Sequence, residues 1–138
     1  DPPYQRQPVW GEDRKRNLIR SLYMGLPVGA MFINRRAYPE RWTIIDGKQR
    51  ILAMRGFVDS EFSVPGDWFP SKADLNPQSN YLFDDLGEWG QRAFETGASI
   101  AVYYVDFRGA DYLEREAELF ELVNFGGVPQ GASDFVRT

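Results

Sequence analysis

The segment WTIIDGKQRILAMR, residues 42–55, decides the fold. Trp42–Ile45 is apolar and β-branched, which is typical of a strand, and the spacing of the apolar residues at 51, 52 and 54 predicts a helix. Gly47 or Lys48 marks the position where the strand pattern gives way to the helix pattern. The segment therefore predicts a strand that passes through a glycine turn directly into a helix.

This corner is a candidate anion site because the first amides of a helix have no partners within it and lie at the positive end of its dipole. Lys48 adds a point charge, and Arg50 can hold phosphate oxygens through two parallel hydrogen bonds. The alternative is a plain structural corner, with Asp46 as the helix N-cap and the cations in solvent. The segment is not a phosphate-binding P-loop, which needs a longer glycine-rich loop ending in Lys-Ser or Lys-Thr.

The rest of the chain predicts an α+β fold, a small mixed sheet with packed helices. We expect an extended start over residues 1–9 and an insertion with short strands, or a lid, over residues 58–81. The other predicted elements are helices over 12–24, 86–96 and 112–123, and strands over 30–34 and 99–107. The turn-rich residues 35–41 separate the first two strands. We expect 1–138 to be a single domain that belongs to a longer parent protein.

Helical periodicity predicts two buried stripes. In the first helix the stripe is Leu18, Ile19 and Leu22. In the last helix we expect Leu113, Ala117 and Phe120 to face inward and Glu114, Glu116, Glu118 and Glu121 to face outward.

Two further segments carry groups suited to a ligand. Asn124 is followed by Phe125 and the pair Gly126–Gly127, whose backbone amides could approach an anion closely. Near the start, Tyr4-Gln5-Arg6 could place Arg6 over a pocket, with Trp10 as an anchor. The alternatives are a glycine helix cap and a frayed terminus, respectively.

The composition excludes several chemistries, since the chain has no cysteine and no histidine. A cysteine nucleophile, a disulfide, a Ser-His-Asp triad and a thiolate zinc site are therefore impossible. Any metal would be a hard ion with oxygen ligands, such as magnesium. No apolar run is long enough to span a membrane, and we expect a cytoplasmic protein.

The net charge of −4 hides an asymmetry. Residues 1–57 carry eleven Lys/Arg and five Asp/Glu (about +6), and residues 58–138 carry five and fifteen (about −10). A basic half suits an anionic ligand, and scattered surface charge is the alternative.

Taken in this order, the motifs resemble those of the N-terminal domain of GmrS/GmrD-type modification-dependent restriction enzymes and of the phosphorothioate-sensing protein SspE. That family typically has a Tyr-Gln-Arg segment, a Trp, a helix ending in Gly-Leu-Pro, an Asp-Gly-Gln-Gln-Arg signature and an Asn-x-Gly-Gly turn. Here these correspond to residues 4–6, 10, 18–27, 46–50 and 124–127. The resemblance covers residues 1–57 well, 99–137 moderately and 58–98 poorly.

The resemblance implies a ParB/sulfiredoxin-like domain that binds a nucleoside triphosphate. It implies that the phosphates contact Gly47, Lys48, Gln49 and Arg50. The site would be closed by Asn124, Gly126 and Gly127. Gln5 and Arg6 would extend into it from the N-terminal segment. Magnesium would be the metal, with Asn124 as a ligand, and GTP or CTP the favoured nucleotide. Asp46, Gln49 and Arg50 are the candidate catalytic residues, with Asp46 orienting Arg50 or a water molecule.

Departures from the family pattern affect these expectations. Lys48 replaces the usual first Gln of the signature, and Glu121–Leu122 stands where members often have an Arg. Sulfiredoxin chemistry needs a cysteine, which is absent. The nuclease that often accompanies the family uses histidine, so this chain does not contain it.

We therefore expect nucleotide binding, with slow hydrolysis, that controls a DNA-directed activity in a nuclease domain or subunit. Two alternatives remain open from the residues: a DNA-binding or DNA-nicking domain that uses the basic half, and a catalytically silent interaction module.

Overall fold

A computed structural model describes residues 2–4, 9–37 and 41–126 and has the expected α+β architecture. Its helices are α1 (Glu12–Tyr23), α2 (Lys48–Val58), α3 (Gly87–Gly97) and α4 (Tyr112–Glu121). Its strands are β1 (Ala30–Ala37), β2 (Arg41–Asp46), β3 (Val64–Pro65), β4 (Asn80–Tyr81) and β5 (Ala101–Val105). The elements form two compact units, each assembled from segments that are distant in sequence.

The first unit comprises Asp1–Pro8, Gly29–Lys48 and Ala101–Thr138. Its described part contains a three-stranded sheet in the order β2-β1-β5, in which β1 runs antiparallel to β2 and parallel to β5. The register passes from Phe32 opposite Asp46 to Ile33 opposite Ile44, so Ile45 is an extra residue in β2. Such a bulge bends a strand and redirects its side chains. Ile45 is fully buried just before Asp46.

The second unit comprises Val9–Val28 and Gln49–Ile100. The predicted stripe of α1, formed by residues 18, 19 and 22, is buried in its core. At the centre lies Phe57 of α2, whose ring contacts those of Phe83 and Phe94 at centroid distances of 5.2 and 5.0 Å. Burying large aromatic side chains of this kind is a main source of stability in a small core.

The segment that follows α2 contains short strands, as expected for an insertion. Strands β3 and β4 pair antiparallel, with Val64 opposite Tyr81, and short 3-10 turns lie between them at Gly66–Trp68 and Ser71–Ala73. Phe62 and Val64 are buried in the core of the second unit. The segment is therefore integrated into that unit through its few apolar residues.

The structure corrects the predicted orientation of α4. Glu116, expected to face outward, is fully buried, and Leu113, expected to face inward, is 39% exposed. The helical period is compatible with burial of either Leu113 or Glu116 beside Phe120, since Glu116 lies three residues after Leu113 and four before Phe120. The assignment failed because it counted every carboxylate as solvent-facing, although hydrogen bonds from neighbouring segments can satisfy a buried one.

Two strand limits also differ from expectation. β1 continues through Ala37 into the predicted turn, whereas β5 is confined to Ala101–Val105. None of the described helices combines the length and the apolar character that a membrane crossing requires.

Candidate anion-binding site

The corner between β2 and α2 has the predicted sequence of strand, glycine turn and helix. β2 ends at Asp46, Gly47 has a φ of +100°, and α2 begins at Lys48. Gly47 is buried, and a Cβ atom added to it would lie 2.8 Å from Cγ and 3.1 Å from Cα of Met31. Only glycine fits both this dihedral angle and this packing, so the residue fixes where the helix starts.

The first turn of α2 carries the three polar side chains that the sequence singled out. Lys48, Gln49 and Arg50 are each half-buried. The side-chain oxygen of Gln49 accepts a hydrogen bond from the backbone N–H of Trp10 at 3.3 Å, within the second unit. The structure thus gives Gln49 a contact with the segment that precedes α1. A catalytic role for Gln49 stays a prediction.

The side chain of Asn124, which belongs to the last sequence segment of the first unit, contacts this corner. It lies in a π-helical turn, Leu122–Gly126, that continues α4. Its amide nitrogen donates to the Phe120 carbonyl at 2.8 Å and to Oδ1 of Asp46 at 3.3 Å, across 78 positions of sequence. Asp46 is only 6% exposed, so its carboxylate is held within the unit. Single π-helical turns are rare and occur frequently at functional sites.

A buried hydrogen-bond network fixes α4 in this position, and sequence reasoning missed it. Both oxygens of the Glu116 carboxylate accept hydrogen bonds, one from the hydroxyl of Tyr4 at 2.8 Å and one from the amide of Asn34 at 2.7 Å. Asn34 also donates to the carbonyl of Phe107 and accepts from its N–H, both at 2.9 Å. The network connects the N-terminal segment, β1, the loop after β5 and α4.

The same network perturbs Tyr4. Burial and the hydrogen bond to the Glu116 carboxylate raise the pKa of the Tyr4 phenol, because each favours the protonated hydroxyl. The ring of Tyr4 also packs against Phe120 at 5.3 Å. These contacts hold the side chain of Tyr4, which immediately precedes Gln5 and Arg6 in the sequence.

The donor set suits magnesium together with phosphate. Magnesium is held in proteins by one or two carboxylates plus phosphate oxygens and water. Asp46 supplies one carboxylate, and the neighbouring Asn124 side chain also carries an oxygen. Within residues 2–4, 9–37 and 41–126, no three acidic side chains cluster as a group that could hold a metal ion by themselves. A metal at this corner would therefore need oxygen atoms from its ligand.

Some predicted site residues lie outside the described residues, namely Gln5, Arg6 and Gly127. Gly126 is the last residue of the π-helical turn. The structure thus brings together Asp46, Gly47, Lys48 and Asn124 in the first unit. Their roles as phosphate or metal ligands stay predictions.

Comparison with protein families gives a match over the whole chain. The family model described as the N-terminal domain of the GmrSD restriction endonuclease matches residues 1–138. Neither the curated proteins nor the solved structures contain a significant match.

Proposed function

Since the chain belongs to the family of GmrSD restriction endonuclease N-terminal domains, we propose that it binds a nucleoside triphosphate with magnesium and hydrolyses it slowly. The family has a restriction-type role directed at DNA. In this proposal the nucleotide controls that role, and the DNA is cut by a nuclease domain or subunit outside this chain.

The observation that carries the proposal is the contact between Asn124 and Asp46. It joins residues of the two motifs to which the family resemblance assigns a role in phosphate binding, although 78 positions separate them. The shared corner combines a glycine turn, a helix N-terminus and a lysine, and each of these features favours an anion. A structural corner alone would not require a polar side chain from so distant a segment at the same point.

The chemistry proposed for the corner is positioning together with charge neutralisation. Gly47 lets the phosphates approach the backbone, Lys48 and Arg50 balance their charge, and Asp46 orients the attacking water molecule. Asp46 and Asn124 are the residues that would hold magnesium, which supplies further neutralisation of the phosphates when it is bound. An aspartate held in place by Asn124 is suited to orienting a water molecule, since little reorganisation is needed before reaction.

The test is a melting experiment with ATP, GTP, CTP and UTP, each with and without magnesium. A ligand at about a hundred times its dissociation constant stabilises the folded state by about 2.7 kcal/mol, which gives a clear rise in melting temperature. We expect such a rise with at least one nucleotide and a larger rise with magnesium. Release of inorganic phosphate from the same samples measures hydrolysis.

Arg50→Ala is the informative variant, with Arg55→Ala as its matched control. Both residues are in α2, but Arg50 is in the first turn and Arg55 is in the last, 80% exposed and paired with Asp59. Loss of one charge-assisted phosphate contact removes about 1.5–3 kcal/mol, so Arg50→Ala should bind nucleotide about ten- to a hundredfold more weakly. Arg55→Ala should bind as the wild type does.

Two results would count against the proposal. If no nucleotide raises the melting temperature of the folded chain, the silent interaction module is the better description. If Arg50→Ala melts at a lower temperature but retains its nucleotide affinity in calorimetric titration, Arg50 is structural.

A further inference from the structure

One stripe of side chains on α4 and on the turn that continues it faces the sheet of the first unit. It contains Glu116, then Phe120 about one helical turn later, and Asn124 about one turn after that. Glu116 and Phe120 are buried, and the amide of Asn124 donates hydrogen bonds to the Phe120 carbonyl and to Asp46. The position of this stripe on the sheet therefore decides whether Asn124 meets Asp46.

The partner of Glu116 on the sheet is a fixed group. Asn34 is fully buried in β1, and its side-chain oxygen accepts hydrogen bonds from the backbone N–H groups of Arg36 and Phe107, at 3.1 and 2.9 Å. Its nitrogen donates to the Phe107 carbonyl at 2.9 Å and to the Glu116 carboxylate at 2.7 Å. An amide that is bonded at both its oxygen and its nitrogen cannot turn to follow a moving helix, so Asn34 offers Glu116 a fixed point on β1.

A directional contact of this kind defines the register of a helix more sharply than apolar packing does. Apolar burial has no preferred direction, and fixing register is the best-attested use of a buried polar pair. A slide of α4 by the rise of one residue, about 1.5 Å, would take the 3.3 Å contact between Asn124 and Asp46 outside hydrogen-bond range. The placement of Asn124 thus depends on the register of α4.

The second oxygen of the Glu116 carboxylate is held from another segment. It accepts a hydrogen bond from the hydroxyl of Tyr4 at 2.8 Å, and the ring of Tyr4 packs against Phe120 at 5.3 Å. The carboxylate is therefore bonded both to β1 and to the N-terminal segment. Two bonds to different segments oppose rotation of α4 as well as sliding.

We infer that Glu116 is a positioning residue of the candidate site. Its carboxylate sets the register of α4 on the sheet and thereby holds Asn124 against Asp46. The placement of Asn124 is independent of any ligand, whereas the effect on magnesium and nucleotide rests on the proposed function. Residues that orient metal-ligating groups typically account for about ten- to a hundredfold in metal affinity or activity.

The first test needs no ligand and follows the side-chain amide of Asn124 by nuclear magnetic resonance. Asn124→Ala identifies the signal by its disappearance. Glu116→Met retains a long side chain without the carboxylate, and we expect the Asn124 signal to lose its wild-type position. Glu116→Gln should restore that position, since its oxygen can accept from Asn34 and its nitrogen can donate to the hydroxyl oxygen of Tyr4.

Two control variants separate this effect from a general loss of stability. Glu118→Met makes the same chemical change at an exposed position of α4. Leu22→Ala removes a buried side chain from the core of the second unit. Both should leave the Asn124 signal at its wild-type position. If Glu116→Met does not fold, Tyr4→Phe decides, because it removes one hydrogen bond to the carboxylate but keeps the ring; the Asn124 signal should then shift in the same direction by less.

The second test measures the affinity for the nucleotide, among ATP, GTP, CTP and UTP with magnesium, that stabilises the wild type most. Glu116→Met should raise its dissociation constant about ten- to a hundredfold, and Glu116→Gln should restore most of the affinity. The double variant Glu116→Met/Asn124→Ala should bind no more weakly than Asn124→Ala, because Glu116 acts through Asn124. Independent contributions would instead multiply.

An unchanged Asn124 signal in the folded Glu116→Met or Tyr4→Phe chain would overturn the inference, as would an equal shift in Leu22→Ala. Multiplying losses of affinity in the double variant would show that Glu116 has only a structural role. If no nucleotide binds to the wild type, the proposed function fails, and the Asn124 signal alone decides whether Glu116 positions Asn124.

Discussion

At the scale of single residues, Gly47 is the position of the candidate site with no room for a side chain. Its φ of +100° is outside the range that other residues readily adopt, and a Cβ atom there would also approach the Ala30 carbonyl oxygen to 3.3 Å. Strained backbone of this kind costs about 1–3 kcal/mol. We therefore predict that Gly47→Ala lowers the free energy of unfolding by about that amount, as measured by urea denaturation.

Gly97 provides the control for this substitution. It is the last residue of α3, and a Cβ atom added to it meets no atom within 4 Å. Gly97→Ala should be neutral or stabilise the protein by up to about 1 kcal/mol, since alanine restricts the unfolded chain. Equal stability of the Gly47→Ala variant and the wild type would mean that the corner relaxes without cost.

At the scale of elements, the position of α4 depends on Glu116. Truncating its side chain to the methyl group of alanine removes two hydrogen bonds and leaves Tyr4 without its acceptor inside the unit. Hydrogen bonds to charged groups contribute about 1.5–3 kcal/mol each, and a cavity adds to the loss. We predict that Glu116→Ala destabilises the chain by at least about 2 kcal/mol in chemical denaturation.

Glu118→Ala is the comparison within the same helix. Glu118 is exposed, and exposed substitutions usually change stability by less than about 0.5 kcal/mol. If the two variants unfold at the same denaturant concentration, the network around Glu116 does not stabilise the docking of α4.

The sequence could predict those features of these elements that depend on patterns among neighbouring residues. The strand, glycine turn and helix at residues 42–58 were predictable because each feature depends on neighbouring residues. The proximity of Asn124 to Asp46 followed from the order of motifs in a family, since no local pattern contains it. Burial of Glu116 could not be predicted because its partners, Tyr4 and Asn34, are distant in sequence. The bulge at Ile45 likewise depends on pairing with β1.

At the scale of the whole molecule, each compact unit contains a tyrosine that reports on its folding. Burial, followed by the hydrogen bond to Glu116, raises the pKa of Tyr4 in the first unit. Burial alone raises the pKa of Tyr23 in the second unit, where its hydroxyl donates to the carbonyl of Gly90 at 2.9 Å. In both cases the folded state favours the neutral phenol.

The direction of these pKa shifts fixes the expected response to alkali. The stability that each phenol contributes is fully present below the pKa of an unfolded tyrosine, about 10, and is lost as the pH rises above it. We predict that Tyr4 and Tyr23 ionise only as their units unfold, so that tyrosinate absorbance rises together with the loss of circular dichroism. Tyr4→Phe and Tyr23→Phe should each remove one tyrosine from this unfolding-linked step. Ionisation of all seven tyrosines in a single step near pH 10, with the circular dichroism intact, would contradict the burial of both phenols.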